Sequence, residues 1–351
     1  MSDTERLREV LAYQAAACAN AGSPLYERIL EGVIDDFDRR GVVAGLIEGR
    51  SADPLGSALT LRLLGAVHRI VLEGRAEALA AHYPSVGGVP GDDAADVFLA
   101  TIGEHREEVD RRIDDGVQTN EVGRSAVLAG GYAALARRTH LPLRVLEVGA
   151  SAGLNLRFDQ YCYLTGRRPC GPVESPVRFE GVWEGEPPEL PERFDVAERR
   201  GCDRNPLDPT TREGRLTLLS YVWPDQLHRI ERLSAALEVA RRVPVTIDDA
   251  DAADWVEAQL AEQTLGRATV VCHSIVFQYL PPASRTKLET SLREAGARAT
   301  GAAPLAWLRM EPAGERAELR LTTWPHGDDV VLATAGYHGN PIWWGPPTPT
   351  R

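Results

Sequence analysis

The chain lacks any run of the roughly eighteen apolar residues that a membrane-spanning helix needs, so no membrane association is expected. It opens polar and charged, Met1-Ser2-Asp3-Thr4-Glu5-Arg6, without the basic-then-apolar pattern of a secretory leader. Cysteine is scarce. The five residues, Cys18, Cys162, Cys170, Cys202 and Cys272, are odd in number and widely spaced, and no Cys-x-x-Cys occurs. That disfavours a disulfide framework and the paired spacing of a zinc site, so no metal is expected and a cytoplasmic protein with reduced thiols fits. A basic excess is absent too: 51 acidic residues stand against 39 basic ones, a net charge of −12. This speaks against sequence-independent nucleic-acid binding, which needs cations to displace counterions. The arginine pairs 137–138, 167–168, 199–200 and 241–242 are pairs, not stripes, and read as solvated helix ends and loops. No internal repeat is visible.

What is present is a change of pattern near residue 140. Residues 1–140 read as a helical region. Leu7, Val10, Leu11, Ala15 and Cys18 keep helical spacing. Ser23-Pro24 offers an N-cap followed by proline at the first helical position. Leu59–Val71 reads as a well-buried helix, and Val97–Val109 and Val122–Leu135 as two more. From 141 to 345 strands alternate with helices. Leu143–Val148, Pro244–Ile247 and Ala268–Cys272 read as strands, and Leu216–Ala240, Asp254–Leu265 and Pro282–Ala295 as helices, the last ended by Gly296. Pro304–Met310, Leu319–Trp324 and Val330–Ala335 are strands without intervening helices, suited to an antiparallel edge. A loop-rich insertion covers about 160–200, and Pro346–Pro349 is a short tail. This order predicts a Rossmann-like, mostly parallel α/β sheet with an N-terminal helical region as cap or lid.

The turn after the first strand reads Glu147-Val148-Gly149-Ala150-Ser151-Ala152-Gly153, followed by Leu154-Asn155-Leu156 and an expected helix. Ligands of open parallel sheets sit beyond the carboxyl ends of the strands, where the strand order reverses. Glycine permits positive φ and lets backbone amides approach a ligand, and a helix N-terminus adds free N–H groups. Glu147 is an unusual residue for a hydrophobic strand, suited to an amino group or a hydroxyl. The dinucleotide fingerprint fails at Ser151 and Leu154, and the Walker loop lacks its Gly-Lys-Ser/Thr ending. Gly149-Ala150-Ser151-Ala152-Gly153 matches G-x-S-x-G, which would make Ser151 a nucleophile served by residues such as Asp328 and His338. That fold, however, takes an oxyanion-hole N–H from an earlier strand loop, and the preceding residues read as helical. Glu-x-Gly-x-x-x-Gly resembles motif I of class I S-adenosylmethionine-dependent methyltransferases, with Ser151 where glycine is usual.

The chain as a whole resembles the uncharacterised bacterial family DUF2332. The matching stretches are Gly22–Tyr26, Gln118–Ser125, Leu146–Leu156, Asp203–Asp208, Val222–Gln226, His273-Ser274, Gln278–Leu280 and Trp307–Pro312. The methyltransferase resemblance implies S-adenosylmethionine as cofactor and a small-molecule or protein methyl acceptor. It implies that the cofactor lies against Glu147, Gly149, Ala150, Ser151, Gly153 and Asn155. Asp203, with Glu198 as the alternative, takes the place of the ribose-binding acid, and Asp249 with Ala250 that of the adenine contact. Asp254 would cap its own helix and so leave Asp249 free. Asn120 and Arg124 would reach the amino-acid end, Arg124 by pairing with its carboxylate. His273, ending the strand that faces the reacting methyl, is the candidate proton acceptor, with Tyr279 beside it and Gln278 shaping the pocket. Two other readings stay open: a non-catalytic binding scaffold of the same fold, and a serine hydrolase through Ser151.

Overall fold

The computed structural model describes residues 2–50, 52–166 and 168–345; Arg167 of the 167–168 arginine pair and the Pro346–Pro349 tail lie outside the described residues. The chain folds into two compact units. One runs to Thr119 and takes back Thr211–Glu231; the other holds Asn120–Thr210 and the chain from Arg232 onward.

The first unit is helical. It contains α1 (Asp3–Asn20), α2 (Pro24–Asp38), α3 (Ala44–Ile47), α4 (Leu59–Leu72), α5 (Glu77–Ala80), α6 (Ala94–Glu104) and α7 (Arg106–Arg112). α2 buries Leu25, Tyr26, Ile29, Leu30, Val33 and Phe37, the stripe that helical periodicity produces. α4 is buried on most of its circumference, as its run of apolar residues requires. Pro24 starts α2, but Ser23 does not cap it through its own side chain. The cap comes from the returning segment: the Ser23 hydroxyl donates to Asp225 Oδ1 at 2.6 Å, and the Leu25 N–H donates to Oδ2 at 3.0 Å. A carboxylate suits this place because it accepts from an orphan N–H at a positive helix end. Gln226 adds a bond to the Ala21 carbonyl at 2.8 Å. Two of the stretches that mark the family resemblance thus meet in one cap.

The second unit opens with α8 (Arg124–Thr139) and β1 (Leu143–Val148). β2 (Cys162–Leu164), β3 (Pro169–Cys170), β4 (Arg178–Glu180), β5 (Trp183–Glu184) and β6 (Val196–Asp203) follow. α9 (Arg212–Ser220) belongs to the first unit, and α10 (Leu227–Arg242) carries the chain back. The single helix expected over Leu216–Ala240 is therefore two. Pro224 supplies no N–H and disfavours helical backbone at Trp223, which separates them. β7 (Thr246–Asp249), α11 (Ala252–Gln259), β8 (Ala268–Ser274), α12 (Pro282–Arg298), β9 (Leu305–Ala313), β10 (Arg316–Trp324), β11 (Asp328–Ala335) and β12 (Ile342–Trp344) complete it. Gly296 lies inside α12 and does not end it: it admits Trp324, whose ring would stand 2.5 Å from any Cβ placed there.

The central sheet has nine strands in the order β5-β12-β11-β10-β9-β8-β1-β6-β7. β7, β6, β1, β8 and β9 are mutually parallel, whereas β9 through β12 pair antiparallel. The fold class is thus mixed α/β with a large, mostly parallel central sheet. β1 lies between β6 and β8, and all six of its residues are buried. From β1 the chain builds outward through β6 to β7 and then returns to the other flank for β8, so the strand order reverses at β1/β8. α8 packs against β8, β9, β10 and β11, and α11 with α12 fill a core with Leu146, Val148 and Val271. Residues between β1 and β6 form a small sheet in the order β3-β2-β4. The five cysteines are free and buried. Among the described residues no helix is long and apolar enough to cross a membrane.

Candidate functional site

The turn leaves β1 through three left-handed residues, Gly149 at φ +67°, Ser151 at +52° and Gly153 at +66°. Glycine at 149 is required twice over, since a Cβ would also overlap the Val276 side chain. The turn amides are not open to a ligand in the way the sequence suggests. Ala150 N–H donates to the Cys202 carbonyl at 3.0 Å and Gly153 N–H to Ala150 at 2.7 Å. Ser151 N–H donates to Asp203 Oδ2 at 2.9 Å, and Leu154 N–H to Asn120 Oδ1 at 2.8 Å. The expected α-helix is a six-residue 3-10 helix, Asn155–Gln160. Its cause is Arg157, whose buried guanidinium takes the carbonyls of Ala152 and Gly153 at 3.1 and 2.7 Å and that of Val243 at 2.8 Å. Those first two carbonyls are the acceptors an α-helix would have used. This turn therefore presents no α-helix N-terminus to an anion.

Beside the turn lies a cleft of about 150 Å³. Val148 and Gly149 form its floor, Asp203 and Arg204 one side, and Ala250, Ala252, Val276, Leu280 and Pro281 its apolar walls, with the 59 % exposed Tyr279 also lining it. Asp203 ends β6. Its carboxylate receives Ser151 N–H on one oxygen and Asn205 N–H at 3.0 Å on the other, which fixes its orientation while leaving lone pairs on both. Ala250 N–H donates to the Asp203 carbonyl at 3.0 Å and joins the ends of β6 and β7. Asp249 is exposed and is not among the lining residues. Asp251, not Asp254, caps α11, accepting from Ala253 N–H at 2.9 Å, and it pairs with Arg204 at 2.6 Å.

Glu147 points away from this cleft, toward α8. It is 3 % exposed, and Oε2 has no hydrogen-bond partner among the described residues. Burial pushes its carboxyl up to about 8, and Asp203 adds to the rise; Arg124, Arg157 and a hydrogen bond from Asn155 oppose it. Asn155 in turn accepts from Ser125 at 2.7 Å. Beside it the Tyr132 hydroxyl donates to Cys272 Sγ at 3.1 Å. Arg124 begins α8 and ties two loops, donating to the carbonyls of Ser274 at 3.1 Å and Tyr337 at 3.0 Å. The structure thus gathers Glu147, Asn155 and Arg124 on one side of the β1 terminus and Asp203 and Ala250 on the other, with Asn120 holding the turn.

His273 is 1 % exposed, and both ring nitrogens are engaged. The Trp307 indole N–H, which can only donate, reaches Nε2 at 2.9 Å. Nδ1 therefore carries the hydrogen and donates to Glu311 Oε1 at 2.6 Å. So held, the ring offers no lone pair to a substrate. Sequence reasoning placed Glu311 and Trp307 in a stretch of the family resemblance but gave neither a role. The strand expected over Pro304–Met310 stopped one residue short of Glu311, so the oddity that marks Glu147, a carboxylate in a strand, shows there only once β9 is seen to run to Ala313. Val276, Leu280 and Pro281 were missed because wall residues carry no chemistry to distinguish them.

Fold and site define a mixed α/β protein with a carboxylate-bearing cleft beyond the carboxyl end of its central strand. The chain belongs to a family described as an uncharacterized protein conserved in bacteria, DUF2332, whose model matches residues 8–344. Neither the curated proteins nor the solved structures yield a match.

Proposed function

We propose that the second unit binds S-adenosylmethionine and transfers its methyl group to a small-molecule or protein acceptor. The observation that carries this reading is Asp203, oriented by two backbone N–H groups at the rim of an apolar cleft, next to the point where strand order reverses. In this reading a nucleoside would enter the cleft with its ribose hydroxyls donating to Asp203 and its base against Ala250, Val276 and Leu280. The parallel order β7-β6-β1-β8-β9 supports the same reading. The unpartnered Glu147 oxygen, with Asn155 and Arg124 close by, suits the amino-acid end, which bears one cation and one carboxylate.

The bound cofactor supplies a methyl group already activated on a sulfonium. The chain's part is alignment and exclusion of water. Val276 and Leu280 would cover the nucleoside, and Tyr279, at the mouth, would orient the acceptor. His273 holds its proton at Nδ1, against Glu311, and is not placed to take another from the acceptor.

Isothermal titration with S-adenosylmethionine and S-adenosylhomocysteine tests the proposal. Saturable binding is expected, and no heat at millimolar ligand overturns it. Ser151 shares its left-handed backbone with a nucleophile elbow, which keeps a hydrolase reading in view. Against it, β1 is the first strand among the described residues, and Asp328 is held by Arg138 at 2.5 Å. A fluorophosphonate probe separates the two: labelling at Ser151 would favour hydrolysis. Binding without turnover across an acceptor screen would leave a scaffold of the same fold.

A further inference from the structure

Residues 275–281 wall the cleft through Val276, Tyr279, Leu280 and Pro281, yet their local backbone is not one the chain adopts cheaply. Ile275 is left-handed at φ +53°, a rare state for a β-branched residue. Such residues persist where neighbours over-determine them. Here the neighbours lie on β9. Ile275 N–H donates to the Met310 carbonyl at 2.9 Å. Glu311 Oε1 accepts from Val276 N–H at 3.2 Å and from Phe277 N–H at 3.3 Å, in addition to His273 Nδ1–H. His273 stacks on Phe277 with centroids 5.4 Å apart, and Trp307 fixes the ring from the other nitrogen. Arg309 lies over Trp307, 4.0 Å from the ring centroid, and is held by Asp329 at 2.9 Å.

We infer that Glu311 is a positioning residue: its carboxylate, with His273 and Trp307, holds the strained 275–277 turn and so sets the cleft wall formed by Val276, Tyr279 and Leu280. The two sequence stretches His273-Ser274 and Trp307–Pro312 are then one device. His273 belongs to it as a strut, and the single oxygen Oε1 acts as a hub for three donors. The wall packs on Gly149, so the shape of the turn after β1 is passed to the cleft through the same contact. Only the consequence for ligand binding rests on the cofactor reading given above.

The experiment compares the full chain with Glu311→Gln, which keeps an oxygen acceptor, and Glu311→Leu, which keeps the bulk without one. Amide hydrogen exchange in the ligand-free protein is read at Val276 and Phe277, with β1 amides as the control for global stability. In Glu311→Leu, exchange at 276 and 277 should quicken at least tenfold while the β1 amides are unchanged, and Glu311→Gln should restore most of the protection. S-adenosylhomocysteine affinity should fall at least tenfold in the leucine variant and recover in the glutamine variant. Wild-type exchange at both amides in Glu311→Leu would overturn the inference, as would loosening that extends equally to β1. Should the leucine variant not fold, ¹⁵N spectra of the wild-type imidazole decide: a hydrogen on Nδ1 supports the hub, and one on Nε2 refutes it. Failure of the wild-type protein to bind S-adenosylhomocysteine would sink the cofactor reading, leaving the exchange result to stand or fall on its own.

Discussion

Replacing Glu147 by glutamine isolates one buried carboxyl in the middle of the sheet. Its ordinary value of 4.5 is pushed up to about 8, first by burial and then by Asp203, against the pull of Arg124, Arg157 and Asn155. The folded chain therefore keeps this proton over a pH range in which the unfolded chain has released it. Below 4.5 both states hold the proton and the residue costs nothing in pH terms. Between 4.5 and 8 the unfolded state binds fewer protons, so stability falls as pH rises, by about 1.4 kcal/mol per pH unit; above 8 the loss is complete. Two and a half pH units, from 4.5 to 7, give about 3 kcal/mol. Glutamine retains the shape and an amide partner for Asn155 but has no proton to lose. Glu147→Gln should match the wild type near pH 4.5, exceed it by about 3 kcal/mol at pH 7, and show a plateau in the difference above pH 8. Hydrogen exchange of the β1 amides in urea, measured from pH 4.5 to 8.5, keeps the readout within this unit. Two stability profiles that run parallel through the window would refute the reasoning, because a group that ionises alike in both states produces no slope.

Asp203→Asn keeps one acceptor but turns an NH2 toward one of the two N–H groups the carboxylate now receives, so it should loosen the Ser151 turn as well as weaken S-adenosylhomocysteine binding at least tenfold by calorimetry; undiminished affinity would remove Asp203 from the ligand. Gly149→Ala forces an alanine into φ +67° and against Val276, which should cost about 2–4 kcal/mol from the left-handed backbone and the overlap together, read from urea unfolding. A cost below about 0.5 kcal/mol would mean that the turn is not packed as described. Asp225→Ala removes the acceptor of both Ser23 O–H and Leu25 N–H and should destabilise the helical unit by about 1–3 kcal/mol. Unaltered exchange of the α2 amides would contradict that assignment.

The parallel heart of the sheet was legible because strands buried on both faces read as near-continuous apolar runs. β1 and β8 are of this kind, and the turn between Val148 and Leu154 announced itself through two glycines. β6 was not legible in the same way. Val196–Asp203 carries Glu198, Arg199 and Arg200, which look like loop until their partners are known: Glu198 takes Arg144 and Arg267, Arg199 takes Asp159, and Arg200 takes Asp248. Each of those partners is contributed by another element, so local pattern carries no trace of them. The helix after β1 failed for a related reason. Arg157 follows directly on Leu154-Asn155-Leu156, where a helix was expected, yet its guanidinium folds back onto the carbonyls that such a helix requires.

One sequence signal transferred better than any periodicity: a carboxylate where a strand should be apolar. An ionisable group in that position must be satisfied by neighbours, lose its charge or do chemistry, since burial of a bare charge is costly. Applied to Glu147, the rule led to the side of the β1 terminus where Asn155 and Arg124 gather. Glu311 escaped the rule because the expected strand stopped at Met310, whereas β9 runs on to Ala313 and carries within it the hub that holds His273 and the cleft wall. Histidine drew the attention instead, because its titration range suits proton transfer. Yet Trp307 and Glu311 between them occupy both of its nitrogens, and the residue with chemistry to spare is the carboxylate it serves. Glu311, like Glu147, keeps one buried oxygen without a partner among the described residues, and both lie beside elements that bound the same cleft. Two strained turns, at Ser151 and Ile275, each held by a carboxylate from a neighbouring strand, Asp203 and Glu311, are what shape this end of the sheet.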